Sequence, residues 1–148
     1  MKEIGNPLLV SQKDVADTLR ESEWFKENHV EVMEQDLQTV EFRRRRATNS
    51  LDHVIVIVGT DSLTNDFPAL ECGITLTCEE KVACNRAKQG FVTALDVVQA
   101  AIQIVDGELW HFFEMNHKED EKLDKLTATA TFKGLIDRSA LFTESKED

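Results

Sequence analysis

The sequence predicts a single α+β domain, with a mostly antiparallel sheet of four to five strands, a long helix packed on the sheet and an N-terminal helix. Leu70–Glu79 alternates apolar with polar or glycine residues, and Leu126–Lys133 does the same, as strands with one buried face do. Between these segments, apolar residues recur every three or four positions from Phe91 to Val105, which is typical of one face of a helix. The length of 148 residues favours one domain over residues 1–148.

The N-terminal third is predicted from local patterns. A first helix is expected after Ser11, because Ser11 and Asp14 resemble a capping box with aspartate in place of glutamate. Residues 22–36 are mixed and indicate a second short helix, or a helix end leading into a loop. Val40–Arg46 alternates weakly and is predicted to be a strand, and the β-branched run Val54–Val58 is typical of a central strand.

The C-terminal half completes the predicted order α, β, β, β, α, β, β. Asp106-Gly107 ends the long helix, Leu109–Met115 is an aromatic strand or packed loop, and Lys118–Lys125 is a charged loop. Residues 1–9 and 137–148 are expected to be extended or weakly ordered unless a partner binds them. The predicted core consists of Val56, Cys72, Ile74, Leu76, Phe91, Leu95, Val98, Ile102, Ala130 and Phe132.

The charge balance excludes some functions. The chain has 28 acidic and 17 basic residues and a net charge of −11, so broad binding to nucleic acid is disfavoured by repulsion of the phosphates. The same surface would let a polyanion pass without adhering to it. No apolar run approaches the roughly 18 residues of a membrane span, and the first residues lack the apolar core of a signal peptide. A cytoplasmic location, or a particle assembled in a cytoplasm, is therefore expected.

No pattern of catalytic residues is found, and neither a cofactor nor a metal is predicted. Cys72, Cys78 and Cys84 are spaced by six residues, which on a strand means about 20 Å and is too far for one ion. They are interpreted as reduced, buried thiols. A Cys84–His111 nucleophile pair stays open as an enzymatic alternative. The acidic residues that lie close in sequence are interpreted as a solvated face: Asp61, Asp66, Glu79 and Glu80.

The candidate interface residues are Arg43, Arg44, Arg45, Arg46, Trp110 and Phe112. Four consecutive arginines on a strand place positive charge on both of its faces, and both cannot be buried against the chain's own sheet. The segment is therefore predicted to project and to meet an acidic surface of another copy, head to tail, in a contact that can close into a ring. The alternative is a solvated hairpin whose arginines pair with nearby carboxylates. The aromatic residues Trp110, Phe112 and Phe113 are expected to be core or interface anchors.

The succession of these segments resembles a known family. "HVIVIVGTDS" precedes "FPALECGITLTCEE", the helix "GFVTALDVVQAAIQIV", "DGELWHFFEMNH" and "LTATATFKG". Over residues 10–135 this order is similar to the tail-terminator or tail-completion proteins of long-tailed bacteriophages. The four adjacent arginines depart from that family's pattern.

The resemblance implies a structural virion protein, assembled in the host cytoplasm, that forms a ring at the head-proximal end of the tail tube. Such a ring caps tail growth, joins tail to head and lets DNA pass without specific binding. The implied partners are further copies of the chain, with a hexamer as one candidate, and the tail tube and neck or connector proteins, with no membrane. The sheet would line or support the channel, with acidic residues facing it, and the arginines and the outer face of the long helix would make contacts.

A second class remains open, the small acidic dimeric chaperones of secretion systems, which bind an unfolded partner. They share the size, the charge and the order of elements, and they normally end in a helix. Residues 136–148 have few apolar positions, which disfavours that class.

Overall fold

The computed structural model describes residues 2–4, 7–35, 55–66, 69–87, 92–137 and 142–144. Within them lie four helices: α1 (Pro7–Glu21), α2 (Glu23–Glu27), α3 (Val82–Arg86) and α4 (Ala94–Val105). The seven described strands are β1 (Lys2–Ile4), β2 (Glu31–Glu34), β3 (Ile55–Asp66), β4 (Ala69–Lys81), β5 (His111–Asp120), β6 (Lys125–Asp137) and β7 (Phe142–Glu144).

Five of the described strands form one sheet in the order β2-β3-β4-β6-β5. The β2–β3 pair is parallel, and the other three pairs are antiparallel. The terminal strands β1 and β7 form a separate antiparallel pair. The predicted α+β class is therefore confirmed, with a mostly antiparallel sheet, an N-terminal helix and a long helix packed on the sheet.

The core lies between one face of the sheet and the helices α1 and α4. On β4 and β6, every second residue is buried on this face, which is the consequence of the strict alternation in the sequence. Opposite the sheet, α4 buries residues at helical spacing, beginning with Ala94 and ending with Val105. Two small residues of β6, Ala128 and Ala130, are fully buried and let the helices lie close to the strand. The helix α1 adds Val15, Ala16 and Leu19 to the same cluster.

The predicted core residues fall into three groups. Those buried in the structure are Val56, Cys72, Ile74, Leu76, Val98, Ala130 and Phe132. Leu95 and Ile102 are only half-buried at the margin of the cluster, because the buried stripe of α4 runs through Ala94, Val97, Val98, Ala101 and Val105. Phe91 lies outside the described residues.

Several predicted boundaries were wrong. The first helix begins at Pro7, not after Ser11, and the long helix begins at Ala94, where Thr93 and Asp96 form a capping box. Residues 31–34, expected within a helix or loop, form the edge strand β2. Half of the expected loop 118–125 belongs to β5 and β6, and residues 121–124 form the turn between them. The predicted strand Val40–Arg46 lies outside the described residues.

A buried carboxylate fixes the position of α4 relative to the sheet. Glu80, near the end of β4, is 1% exposed, which contradicts its interpretation as part of a solvated face; Glu79 is also buried. The Glu80 Oε1 atom accepts a hydrogen bond from Ala94 N–H at 3.0 Å, in the first turn of α4. Its Oε2 atom accepts from Asn85 Nδ2 at 2.7 Å and from Arg86 Nε at 3.4 Å. This one carboxylate therefore joins β4, α3 and the N-terminus of α4, where negative charge is favoured.

Replacing Glu80 with alanine is expected to lower the free energy of unfolding by about 2–3 kcal/mol. The change leaves the buried donors on Ala94 and Asn85 without this acceptor, and buried polar groups are costly when unpaired. Equilibrium denaturation in urea measures the difference. The matched control is Glu71→Ala, because Glu71 is half exposed and its ion pair with Lys133 spans 4.0 Å; less than about 1 kcal/mol is expected there. Equal losses for the two variants would contradict the anchoring role of Glu80.

Candidate interaction surface

Among the strands whose side chains are all described, the edge strand β5 is the most exposed. Nine of its ten residues are exposed, and Met115 is half-buried. Within the described residues β5 pairs only with β6, so one long edge of its backbone faces outward. Long edges of this kind favour pairing with another chain.

A β-bulge distributes the side chains of β5 over both faces of the sheet. The pairing with β6 shifts register between Phe112 and Glu114, so Phe113 is the extra residue. Phe112 is opposite the buried Phe132, and the two rings meet edge to face with centroids 6.1 Å apart. Phe113 lies instead under the Lys133 Nζ atom, 4.0 Å from the ring centroid, on the face away from the helices. The two adjacent phenylalanines therefore point to opposite faces.

Large apolar side chains are concentrated at the beginning of β5 and the end of β6. Phe113 is 57% exposed and Phe112 41% exposed, and Leu109 and Leu135 are also exposed. Leu109 directly precedes Trp110, whose ring packs against Gly134, so it lies beside the Gly134–Leu135 end of β6. We call these four residues, Leu109, Phe112, Phe113 and Leu135, the apolar patch. Phe112 lies on the helix face of the sheet and Phe113 and Leu135 on the other, so the apolar patch spans both faces at one end of β5 and β6. Exposed apolar residues concentrated at one end of a sheet favour contact with another chain.

The opposite edge of the sheet is covered by a side chain of α1. Arg20 donates from Nη2 and Nε to the carbonyl oxygen of Val32 in β2, at 3.1 and 3.4 Å. Its Nη1 atom donates to Glu34 and Asp17 carboxylates, both at 3.0 Å. A guanidinium group on the edge carbonyl, held by two carboxylates, hinders the addition of another strand. Within the described residues the two edges of the sheet are therefore not equivalent, and β5 is the more accessible of the two.

The structure separates the predicted interface residues. Phe112 is exposed in the apolar patch, whereas Trp110 is only 5% exposed and belongs to the core cluster. Trp110 therefore offers little surface to a partner. Arg43–Arg46 lies outside the described residues. The sequence predicted no contact role for Leu109 and Leu135; the break in alternation at Phe112-Phe113 is the one signal that would have indicated an edge strand with a bulge.

Gly134 supports the start of this surface. A methyl group at Gly134 would lie 2.6 Å from the Leu109 carbonyl oxygen and 2.6 Å from Cε3 of Trp110. Only glycine therefore lets the Trp110 ring lie directly on β6, and this packing sets the position of Leu109 and of the first residues of β5.

The carboxylates of β5 also lie on both faces. Glu114 and Asp120 are opposite Thr131 and Lys125, on the face away from the helices, and Glu119 is opposite the buried Leu126. Within the described residues, neither Glu114 nor Glu119 makes an ion pair. Lys118 is the one cation of the strand, so β5 carries three carboxylates against one lysine.

One further polar site of the described region lies on the face of the sheet away from the helices. Lys125 Nζ pairs with Glu79 Oε1 at 2.9 Å in an open cleft of about 440 Å³. Within the part of the chain that the structure describes, no three histidine, cysteine or acidic side chains are placed to hold a metal ion. No described helix is long and apolar enough to cross a membrane.

The described cysteines have the properties of core residues. Cys72 and Cys78 are free and buried. Burial raises the pKa of the Cys72 thiol, and it raises the pKa of Cys78 well above the usual value, with Glu80 and Glu79 adding to the effect. Neither thiol is a ready nucleophile. His111 is exposed on β5, and the side chain of Cys84 lies outside the described ones.

Comparison with known proteins identifies a shared fold. No family model matches the sequence, and no curated protein matches it. A chain in the virion of a native gene transfer agent particle aligns with a TM-score of 0.59 and 14% identity, over 85% of this chain and 93% of that chain. A chain in a crystal structure from Akkermansia muciniphila aligns over 99% of this chain and 84% of its own length, at 10% identity and a TM-score of 0.37. The virion chain therefore shares the fold of this protein.

Replacing Gly134 with alanine is expected to displace Trp110 and to lower the free energy of unfolding by about 1–3 kcal/mol, as overpacking does. Urea denaturation measures the loss, and tryptophan emission reports the displaced ring. Gly107→Ala is the matched control, because a methyl group there meets its nearest neighbour at an ordinary 3.9 Å. If the two alanine variants were equally stable, the close packing of Trp110 on β6 would not be a determinant of this surface.

Proposed function

We propose that this chain is a structural protein of a phage-like virion, and that it forms a ring at the head-proximal end of a tail tube. In that role it caps tail growth, joins tail to head and lets DNA pass. The observation that carries the proposal is the shared fold with a chain of the gene transfer agent virion, which extends over 93% of that chain. The resemblance of the sequence to tail-terminator and tail-completion proteins supports the finer assignment.

The surface of the chain suits such a role. A net charge of −11 disfavours adhesion of DNA to a channel formed by copies of this chain. The exposed edge strand and the apolar patch offer a contact area that the described part of the chain does not cover. A ring requires two different surfaces that fit each other, so that each copy binds the next. The first of these surfaces is the cationic segment Arg43–Arg46, and the second is an acidic surface of the neighbouring copy.

The polar character of the outer face of α4 limits its part in the ring. Its exposed residues are Asp96, Gln99 and Gln103, without a large apolar side chain among them. The contact between copies is therefore assigned to the arginines and the apolar patch, with α4 left for a polar contact to a neighbouring protein of the neck.

The dimeric chaperone is the second candidate, and the solution mass separates the two. A stable dimer with no larger species favours the chaperone, and a closed ring, alone or on tube ends, favours the virion protein. The described residues 142–144 form a strand paired with β1, whereas the chaperones normally end in a helix.

Replacing Arg43–Arg46 with four serines is expected to weaken assembly while each monomer stays folded. The change removes four positive charges and makes the net charge more negative, from −11 to −15, so copies repel one another more strongly. Sedimentation equilibrium at fixed ionic strength gives the association constant, and circular dichroism reports the fold. Equal assembly of both proteins at the same salt concentration would show that the arginines make no contact between copies.

A further inference from the structure

We infer that the outer edge of β5 is the acceptor surface for the Val40–Arg46 segment of a second copy, which adds to the sheet as a further strand. This inference rests on the proposed function, because it names the surface that receives the arginines. It concerns one contact between two copies and does not depend on the number of subunits or on a tail tube. Its test therefore measures that contact directly.

The edge geometry provides the backbone part of the contact. β5 has ten residues, one neighbour among the described strands and no proline. An added strand can therefore bond to an outward row of amide and carbonyl groups, which is a common mode of peptide recognition. The Phe112 N–H group is already bonded to the Asp106 carboxylate at 2.9 Å, so the free part of the edge begins after the bulge. From there to Asp120 it matches a segment of seven residues.

The distribution of side chains selects β5 over the other strands. A strand with four consecutive arginines carries positive charge on both faces, and it requires a neighbour that is accessible on both faces. Among the strands with completely described side chains, which are β2, β4, β5 and β6, only β5 is exposed on both. On each face of β5 lie one phenylalanine and at least one carboxylate: Phe113, Glu114 and Asp120 on one, Phe112 and Glu119 on the other.

The charges complement one another as well. β5 carries three carboxylates and one lysine, a formal net charge of −2, whereas Val40–Arg46 carries four arginines and Glu41, a net charge of +3. Phe113 already holds a cation over its ring, the Lys133 Nζ atom at 4.0 Å. Arginine is the cation most often found in this arrangement, and it also binds carboxylates through two parallel hydrogen bonds. Two β5 strands paired with each other would instead place two strands of net charge −2 side by side, which is repulsive.

A labelled peptide of residues 39–48 tests the contact in trans. The receptor is the full chain with Arg43–Arg46 replaced by serine, so that its own segment does not compete. Fluorescence anisotropy at fixed ionic strength gives the dissociation constant. Glu114→Lys combined with Glu119→Lys in the receptor is expected to weaken binding about tenfold or more, which is about 1.4 kcal/mol or more. Both side chains are exposed, so the receptor stays folded.

A matched control and a charge-swapped peptide separate this contact from general attraction. The control receptor carries Glu21→Lys and Glu27→Lys, which change the net charge by the same amount. Both positions are exposed in the last turns of α1 and α2, where lysine is favourable. This receptor is expected to bind the arginine peptide nearly as tightly as the parent receptor does. A peptide with glutamate at positions 43–46 is expected to bind the Glu114→Lys, Glu119→Lys receptor more tightly than it binds the parent receptor. The Glu21→Lys, Glu27→Lys receptor, which has the same net charge, is not expected to show that gain.

The outcomes distinguish this inference from the proposed function. Equal weakening by the two double variants, or no peptide binding, would overturn the assignment of β5 even if the parent chain forms rings. Binding that depends on β5 in a chain that never forms a ring would support the contact and count against the ring.

Discussion

The antiparallel pairing of β4 with β6 is the constraint on which the rest of the structure depends. The two strands pair over thirteen residues each, from Ala69 with Asp137 to Lys81 with Lys125. This register places the apolar side chains of Leu70–Cys78 in β4 and Leu126–Phe132 in β6 on one face, whereas Leu135 lies on the other. A shift by one residue would turn the buried set outward. The helices must then cover that face, and β3 and β5 take the two remaining sides of the pair. The exposed edge of β5 therefore follows from the centre of the sheet.

The elements with their own sequence signal, periodic or β-branched, could be predicted from the sequence, whereas those that depend on a neighbouring strand could not. β4 and β6 alternate strictly, and α4 has apolar residues at helical spacing, so each was predicted with small errors at its ends. β2 has only four residues and is parallel to β3, so its existence depends on the neighbouring strand. The charged end of β5, predicted as a loop, is a strand because β6 pairs with it. The side chains at this end are exposed, so the sequence there has no alternation of apolar and polar residues that would predict a strand.

The prediction for Glu80 failed for a related reason. Alternation along β4 places Glu80 on the core face, in line with Cys78 and Leu76, yet a carboxylate is read from sequence as solvent-facing. The structure satisfies it with donors from α3 and from the first turn of α4, which come from 5 and 14 residues further along the chain. A buried acid is tolerated when several donors surround it. No single-residue propensity contains that information, and the same holds for Gly134, whose role depends on the Trp110 ring.

The acidity of the chain gives the proposed contact its salt dependence. At a net charge of −11, copies repel one another over a distance of about 10 Å at 0.1 M salt. Added salt screens that repulsion, and it also screens exposed pairs between arginine and carboxylate. Backbone hydrogen bonds and an arginine stacked on Phe113 depend less on ionic strength than exposed ion pairs do. A contact built on a strand edge therefore tolerates moderate salt, whereas a contact held by surface ion pairs alone weakens steadily. The exposed edge of β5, combined with aromatic rings on both faces, is suited to the first kind of contact.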